Sequence, residues 1–286
     1  MKRYLPHIQI LSAGFLWGLI GLFSRNLAAA GLSPFSIVVV RNIGGLILLG
    51  LIFLVLDRSV FRIKLRHLPY FFGTGIVSIL LFTLCYFSAQ QMASLAVAAI
   101  LLYTAPAFVV GLSAVLFRDK LTKSRLIALL LAFAGCLFVS GVLGGSPAVT
   151  GQGLILGIAS GFFYGLYSIF GRYALAHYSP LTVTFYTFLF AGAGSLFFLK
   201  PAELSPCFST SSLLLLVVGL VVISTVLPYI LYTRGLAKLD SGKASILASI
   251  EPVVAALVGV IAFREPMSIM VVLGLICILV SIYILK

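Results

Sequence analysis

Stretches of about twenty apolar residues recur along the whole chain, and only short connections separate them. A helix rises about 1.5 Å per residue, so about twenty residues cross the roughly 30 Å hydrocarbon core of a bilayer. We count ten such segments and number them 1 to 10 in chain order: 8–28, 34–56, 68–90, 95–117, 124–143, 152–172, 180–199, 211–233, 242–263 and 267–285. The sequence therefore predicts an all-α polytopic membrane protein.

Composition excludes a water-soluble fold. The 286 residues are 62% hydrophobic and 9% charged, which is more apolar surface than a soluble domain can bury. The formal net charge of +13 could suggest a nucleic-acid partner, but such proteins carry their charge on one face of a soluble domain. Here the basic residues lie in the connections between apolar segments. We expect a lipid bilayer, and no nucleic acid, as the chain's surroundings.

The placement of Lys and Arg predicts the topology. With the N-terminus in the cytoplasm, 15 basic residues fall inside and 3 fall outside, the latter being Arg25, Lys200 and Arg264. Basic residues concentrate on the cytoplasmic side of membrane proteins. We therefore expect a multi-pass protein of a bacterial plasma membrane, with both termini cytoplasmic and "GGSPAVTG" (144–151) external. Arg25 interrupts the first apolar run, which argues against a cleaved signal peptide.

The second half of the chain repeats the first. "FLWGLIGLFSR" (15–25) aligns with "FFYGLYSIFGR" (162–172). Further along, a shift of 146 residues pairs Tyr86 with Tyr232, Pro106 with Pro252, and Phe117-Arg118-Asp119 with Phe263-Arg264-Glu265. Each half holds five segments, an odd number, so the second copy must enter the membrane the other way up. The prediction is two inverted five-helix repeats, 1–145 and 146–286, an arrangement common in secondary transporters.

"ASILASIEPVVAALVGVIAFREPM" (244–267), its counterpart "AAILLYTAPAFVVGLSAVLFRDKL" (98–121) and "GFLWGLIGLFSR" (14–25) resemble the EamA-type branch of the drug/metabolite transporter superfamily. The resemblance covers essentially the whole chain. It implies ten helices in two inverted repeats, a central cavity and alternating access. Members export amino acids and other small metabolites, and others import small solutes. The family often has Gly-Glu after the fourth helix of a repeat, whereas this chain has Arg118-Asp119 and Arg264-Glu265.

A solute site within a bilayer needs side chains that a water-filled cavity tolerates and lipid does not. Two tyrosine pairs are spaced three residues apart, which puts each pair on one helix face. The candidate substrate-binding residues are Trp17, Tyr86, Gln90, Tyr103, Tyr164, Tyr167, Tyr229, Tyr232, Ser249 and Glu251. The alternative for the aromatic members is packing between helices.

Glu251 stands about 13 Å into segment 9, near the middle of the membrane, directly before Pro252. Its counterpart in the first repeat is Ala105, so the repeat does not require an acid there. One interpretation is structural: a protonated Glu251 hydrogen-bonds the backbone carbonyl that Pro252 leaves free in a bent helix. The functional interpretations are a proton-coupling carboxylate and a counter-charge for a substrate ammonium.

Arg41 is the second charge within a segment, about 10 Å from the external end of segment 2. Its counterpart is Thr187. A long arginine side chain can reach the membrane surface from this depth, and the family commonly has a basic residue here. The two interpretations are a structural role and binding of a substrate carboxylate.

Other functional classes find no support in the sequence. Gly-x-Ser-x-Gly, His-Glu-x-x-His and phosphate-binding loop motifs are absent, and the four cysteines and three histidines lack metal-ligand spacing. We expect no enzyme activity, cofactor or metal. The prediction is a secondary active exporter of a small metabolite such as an amino acid or organic amine, with protons as the coupling ion. An importer, a facilitative carrier and a membrane scaffold are the alternatives, and the chain could act as a monomer or a homodimer.

Overall fold

The structure, a computed structural model, describes residues 4–92, 95–140 and 150–285, and these form helices with no β-strand among them. Segments 1 to 5 comprise Leu5–Gly18 with Ile20–Ala29 (1), Pro34–Leu56 (2), Leu68–Phe72, Gly73–Leu80 and Leu81–Met92 (3), Leu95–Leu102 with Ala105–Phe117 (4), and Lys123–Val139 (5). Segments 6 to 10 comprise Gly151–Leu175 (6), Pro180–Ser195 (7), Ser211–Val221, Val222–Val226 and Leu227–Leu236 (8), Ser241–Ala248 with Glu251–Phe263 (9), and Ile269–Ile284 (10).

The prediction of an all-α membrane fold is confirmed. Eight of the described helical stretches are long and apolar enough to cross a membrane, and Ile269–Ile284 is a shorter apolar helix. Lys123–Val139 packs along Ile269–Ile284, so segments 5 and 10 form an antiparallel pair. Residues 144–149 of the loop expected to be external lie outside the described residues. So do the 145/146 boundary between the repeats and the terminal residues 1–3 and 286.

Polar residues mark where many of these helices begin. Each such residue has an extended backbone, and its side-chain oxygen accepts a hydrogen bond from the backbone N–H three positions on, which satisfies a donor left unpaired at the helix start. The residues are Ser33, Thr122, Thr150, Ser179, Thr210, Asp240 and Ser268. After Ser33 and Ser179 the next residue is proline, whose fixed φ suits the first helical position.

Segments 4 and 9 are each broken at the same place in the repeat. The helix of segment 4 stops before Tyr103 and Thr104, and that of segment 9 stops before Ser249 and Ile250, 146 residues later. A proline follows each break in the first turn of the new helix. Proline has no N–H and clashes with the preceding turn, so it suits a helix start better than an interior. The expected bend at Pro252 is therefore an interruption of the helix, which frees main-chain polar groups at membrane depth.

The end of segment 4 and the end of segment 9 lie on opposite faces of the molecule. Ala105–Phe117, the second half of segment 4, packs on Ser241–Ala248, the first half of segment 9. The end of segment 4 therefore lies beside the start of segment 9. We call this face the basic end, since the connections there carry most of the Lys and Arg residues, and the other face the opposite end.

Each of these two helices ends in a residue with left-handed backbone geometry. Arg118 has φ 57° and Arg264 has φ 55°. The next N–H bonds back six residues, from Asp119 to the carbonyl of Ser113 and from Glu265 to that of Gly259. This helix ending strongly favours glycine, because any side chain at the left-handed residue crowds its own backbone. The geometry suits the glycine of the family's Gly-Glu pattern, and nothing in the structure explains why this chain has arginine at these positions.

Replacing Arg118 or Arg264 with glycine is expected to stabilise the protein by about 1 kcal/mol, because glycine relieves the left-handed strain. Thermal unfolding of the purified protein in detergent measures the effect. Arg234→Gly is the matched control, since exposed Arg234 lies within a regular helix, where glycine costs about 1 kcal/mol. A lower unfolding temperature for Arg264→Gly would contradict the strain argument.

Close helix contacts bring segment 1 against the break in segment 9. A Cβ atom added at Gly14 would lie 2.8 Å from the carbonyl oxygen of Ala248, and one at Gly18 would lie 2.7 Å from that of Glu251. No side chain fits at such distances, so glycine is what allows the two backbones to touch. This contact joins the repeats directly beside Glu251.

At the opposite end, Glu203 ties the connection between segments 7 and 8 to the start of segment 2. Its carboxylate accepts hydrogen bonds from the hydroxyls of Ser33 (2.5 Å) and Ser36 (2.6 Å) and from Lys200 (2.9 Å). These three hydrogen bonds lower the pKa of Glu203 to about 2, so it remains ionised at physiological pH. The contact is a second link between the two repeats.

Candidate functional site

Glu251 lies at the centre of a group of polar aromatic residues. The Tyr164 hydroxyl donates a hydrogen bond to its carboxylate at 3.4 Å. The carboxylate also lies close enough to Tyr86, Tyr103 and Tyr229 to interact with them electrostatically. The hydrogen bond that the structure gives Glu251 therefore comes from segment 6, and not from backbone near Pro252. The side chain faces the protein interior.

Arg41 approaches the same region from segment 2. Its Nε donates to the hydroxyl of Thr225 at 3.2 Å, and Thr225 donates to the carbonyl of Leu220 at 2.8 Å. That five-residue spacing reflects a widened π-helical turn, Val222–Val226, a feature common at functional sites. Arg41 also interacts electrostatically with Glu251 and Tyr229. No ion pair among the described residues joins Arg41 to Glu251, so the two opposite charges are held on separate helices without meeting.

Four candidate aromatic residues pack together as an aromatic plug, defined as Trp17, Tyr167, Tyr229 and Tyr232. Each is 4–5% exposed. The ring centroids of Trp17 lie 5.1 Å from Tyr229 and 5.3 Å from Tyr232, and those of Tyr167 and Tyr229 lie 5.2 Å apart. The plug lines one side of a cavity of only about 30 Å³, on which Tyr164 also borders.

Two hydroxyls of the aromatic plug have partners within the protein. Tyr167 bonds Thr233 and Tyr232 bonds Ser168, both at 2.7 Å. A buried hydroxyl with a protein partner needs no ligand or water to satisfy it. The hydroxyls of these two tyrosines are therefore satisfied within the protein in this conformation.

The other candidates lie around Glu251 or at the helix breaks. Tyr86 and Gln90 are one turn apart on Leu81–Met92, and their side chains interact. Tyr103 occupies the break in segment 4, and Ser249 is buried at the break in segment 9. The seven aromatic candidates thus divide between the plug and a ring of Tyr86, Tyr103 and Tyr164 around Glu251.

A larger cavity of about 240 Å³ runs from Tyr103 toward the opposite end, between segments 4, 5, 9 and 10. Its lining includes Pro252 at the depth of Glu251, and Arg25 and Glu265 at the end nearer the surface. The structure is therefore more open between Tyr103 and the opposite end than on the side of the plug. A cavity of this size with polar groups at Tyr103, Arg25 and Glu265 has room for several waters or a small solute.

An arginine–carboxylate pair joins the two repeats at each end of the molecule. Arg172 bonds Asp119 with both terminal nitrogens, at 2.5 and 3.1 Å, and its guanidinium lies 4.1 Å from the Phe117 ring centroid. Arg25 contacts Glu265 at 2.5 Å and lies 4.8 Å from the Phe263 ring centroid. We call these the basic-end latch and the opposite-end latch.

Sequence reasoning missed the latches and Thr225. A signal for the latches was present, because all six of their residues lie at matching positions of the repeats, but the matches were interpreted only as marks of duplication. Thr225 had no such signal. A threonine in an apolar helix usually bonds its own backbone, and its contact with Arg41 depends on the tertiary fold.

Comparison with known proteins agrees with the fold and the repeat. The model of the EamA-like transporter family matches residues 5–141 and 151–286. An uncharacterized transporter of Archaeoglobus fulgidus is 29% identical over 224 residues, covering 78% of this chain and 79% of that protein. Uncharacterized transporter YetK of Bacillus subtilis is 25% identical over 99% of this chain and 92% of its own length.

A relative described by its membrane and a solved structure extend the comparison. Uncharacterized inner membrane transporter YicL of Salmonella typhimurium is 27% identical over 98% of this chain and 94% of its own length. One crystal structure, at 20% identity, superposes with a TM-score of 0.80 over 98% of this chain and 95% of that one, which supports the fold. With the family match spanning both repeats, the chain belongs to the EamA-like transporter family of the drug/metabolite transporter superfamily.

Proposed function

We propose that this protein is a secondary active transporter that exports an amino acid or a related organic amine by alternating access. The observation that carries the proposal is the pair of opposite charges, Glu251 and Arg41, in the membrane interior among tyrosines. Ionisable groups at this depth are costly and mark substrate or ion pathways. A zwitterionic amino acid presents an ammonium to Glu251 and a carboxylate to Arg41, so one solute satisfies both charges.

The tyrosines suit the rest of such a solute. Their rings offer apolar faces, and their hydroxyls can donate to or accept from a polar solute. Aromatic faces also attract a substrate ammonium group. A site of this kind combines a few fixed polar groups with a largely aromatic lining, which is usual for small-molecule sites.

The two latches support the alternating-access part of the proposal. Each joins one repeat to the other at one end only, so opening an end requires its own latch to separate while the other persists. Both latches are formed in this structure, and because they are related by the repeat, opening one or the other would give two inversely related conformations. The basic end faces the cytoplasm under the charge rule, and export loads the solute there.

The test uses a matched pair of ligands: amino acids and the amines that lack their carboxylate. For the wild-type protein, ligands that bind raise the unfolding temperature by mass action. We expect Arg41→Gln to weaken amino-acid binding by about tenfold or more, since one charge-assisted contact is lost, while amine binding changes little. Glu251→Gln should weaken both.

Arg234→Gln, at an exposed arginine of the basic end, is the control and should bind both ligands as the wild type does. Equal losses of amino-acid and amine binding in Arg41→Gln would contradict a carboxylate-binding role. The amino acids and amines that raise the unfolding temperature are then tested for efflux from vesicles that contain the protein and are loaded with the compound. Counterflow without net efflux under a proton gradient would contradict active export and favour a facilitative carrier.

A further inference from the structure

A basic pocket of about 310 Å³ lies at the basic end, away from the central site. The connection between segments 2 and 3 forms one wall, and the connection between segments 6 and 7 forms the other. We name it the basic pocket, and its lining residues are Arg62, Ile63, Lys64, Arg66, His67, His177 and Tyr178. No acidic side chain contributes to this lining.

The three cations of the basic pocket have no acidic partner. Arg62, Lys64 and Arg66 are exposed, and none of them belongs to an ion pair among the described residues. Like charges held together repel one another unless an anion joins them. The nearest acid in the sequence, Asp57, does not pair with these cations, because its carboxylate accepts hydrogen bonds from the backbone N–H and the hydroxyl of Ser59.

The hydrogen bonds of His67 and Tyr178 add a donor that faces the same space. Arg66 Nε can only donate, so its 3.1 Å contact makes His67 Nε2 the acceptor. The proton of a neutral His67 is then on Nδ1, which donates to the Tyr178 oxygen at 2.7 Å. The backbone N–H of Lys64 donates to the same oxygen at 2.9 Å. Tyr178 therefore accepts two hydrogen bonds, and its own O–H is left to donate toward an acceptor in the basic pocket.

We propose that the basic pocket binds the phosphate group of an anionic phospholipid. Phosphate oxygens accept from arginine, lysine and a tyrosine hydroxyl at once, which matches the donors present. The location favours lipid over free phosphate. Leu65 is 79% exposed and Phe72 is 47% exposed on the adjoining surface, where acyl chains would lie.

An aromatic layer beside the pocket has the character of a membrane interface. The ring of Tyr70 stacks on Tyr173 at 6.0 Å and on His177 at 6.1 Å. Tyrosines concentrate at the depth of lipid headgroups, and basic pockets between helices on the cytoplasmic side recognise anionic headgroups. Because the pocket joins a connection of one repeat to a connection of the other, bound lipid would hold the repeats together at this end.

The experiment measures the unfolding temperature of the full-length protein in detergent against phosphatidylglycerol, phosphatidylcholine and inorganic phosphate. We expect phosphatidylglycerol alone to stabilise the wild type. The triple variant Arg62→Gln, Lys64→Gln, Arg66→Gln should bind it at least about tenfold more weakly, as expected when several charged contacts are lost. Tyr178→Phe, which keeps every cation, should weaken binding several-fold.

The matched control is the triple variant Arg118→Gln, Lys120→Gln, Lys238→Gln, which removes the same charge from exposed positions of the same end. It should retain the response of the wild type. Equal loss in both triple variants would overturn the proposal in favour of diffuse electrostatics. Stabilisation by inorganic phosphate and none by phosphatidylglycerol would overturn the lipid assignment.

Discussion

Glu251→Gln should leave the protein folded, lower net transport by at least about tenfold and remove the dependence of the remaining rate on external pH. Glutamine has nearly the same volume as glutamate, and its amide oxygen can still accept from Tyr164. What it loses is the charge and the capacity to take up a proton. The fold should therefore survive while coupling fails.

The reasoning rests on what an ionised carboxylate requires inside a membrane. It must pair with a cation, contact water or take up a proton. One turn away on the same helix stand Leu247, Ala248, Val254 and Ala255, none of which can serve. Arg41 interacts with Glu251 only at a distance, and the hydroxyl of Tyr164 carries no charge, so a bound solute or water is left as the partner of an ionised Glu251. Under the proposed function, exchange of a proton for solute at this carboxylate would link the two gradients.

The measurement is uptake and efflux by reconstituted vesicles over a range of external pH. Glu203→Gln is the control, since that carboxylate lies outside the membrane interior and is engaged with Ser33 and Ser36. Counterflow exchange at constant pH separates coupling from binding. Wild-type net transport with unchanged pH dependence in Glu251→Gln would assign the residue a structural role.

Breaking the basic-end latch should change the resting conformation more than breaking the opposite-end latch. Arg25 and Glu265 are about half exposed, with 53% and 47% of their side-chain surfaces accessible, so their pair contributes only about 0–1 kcal/mol. The side chains of Arg172 and Asp119 are 30% and 12% exposed, and two guanidinium nitrogens donate to the carboxylate. The contribution of this pair to stability is therefore nearer about 1.5–3 kcal/mol. A difference of about 1–2 kcal/mol shifts a two-state population by roughly 5- to 30-fold.

Cysteine labelling in a background without the four native cysteines reports this shift. Val109→Cys samples the small cavity beside the plug, and Ala255→Cys samples the larger cavity. Asp119→Asn should raise labelling at position 109 by about tenfold, while Glu265→Gln should change labelling at position 255 by less than about threefold. The exchange Asp119→Arg with Arg172→Asp should restore slow labelling at position 109. Equal effects of the two neutral substitutions would contradict the assigned energies.

The sequence predicted the helices, the repeat and the position of Glu251 in the membrane interior because each leaves a local signal. Apolar length marks a segment, matched residues such as Pro106 and Pro252 mark the repeat, and Pro252 indicated a bend in segment 9. The left-handed ends at Arg118 and Arg264 could not be predicted, since arginine is not the residue this geometry favours. The π-helical turns Gly73–Leu80 of segment 3 and Val222–Val226 of segment 8 could not be predicted either, because they lie within unbroken apolar sequence.

Helix periodicity does not predict which distant segments contact one another. Spacing placed Tyr164 and Tyr167 on one helix face, and both border the small cavity. Only the tertiary fold directs the first to Glu251 and the second to Thr233. Trp17 was predicted to be a substrate-binding residue with helix packing as the alternative, and the structure packs it in the aromatic plug against Tyr229 and Tyr232. Whether these residues bind solute remains a prediction.

The crossed pattern of the latches bears on the ancestry of the chain. Each arginine finds its acid in the other half, so neither half can form a latch alone. Two identical copies of a single five-helix unit, inserted in opposite orientations, would form the same contact twice by symmetry. The present molecule keeps the bonding scheme of such an antiparallel homodimer within one polypeptide. Gene duplication and fusion would need only to bias the basic loops, so that each half holds a single orientation.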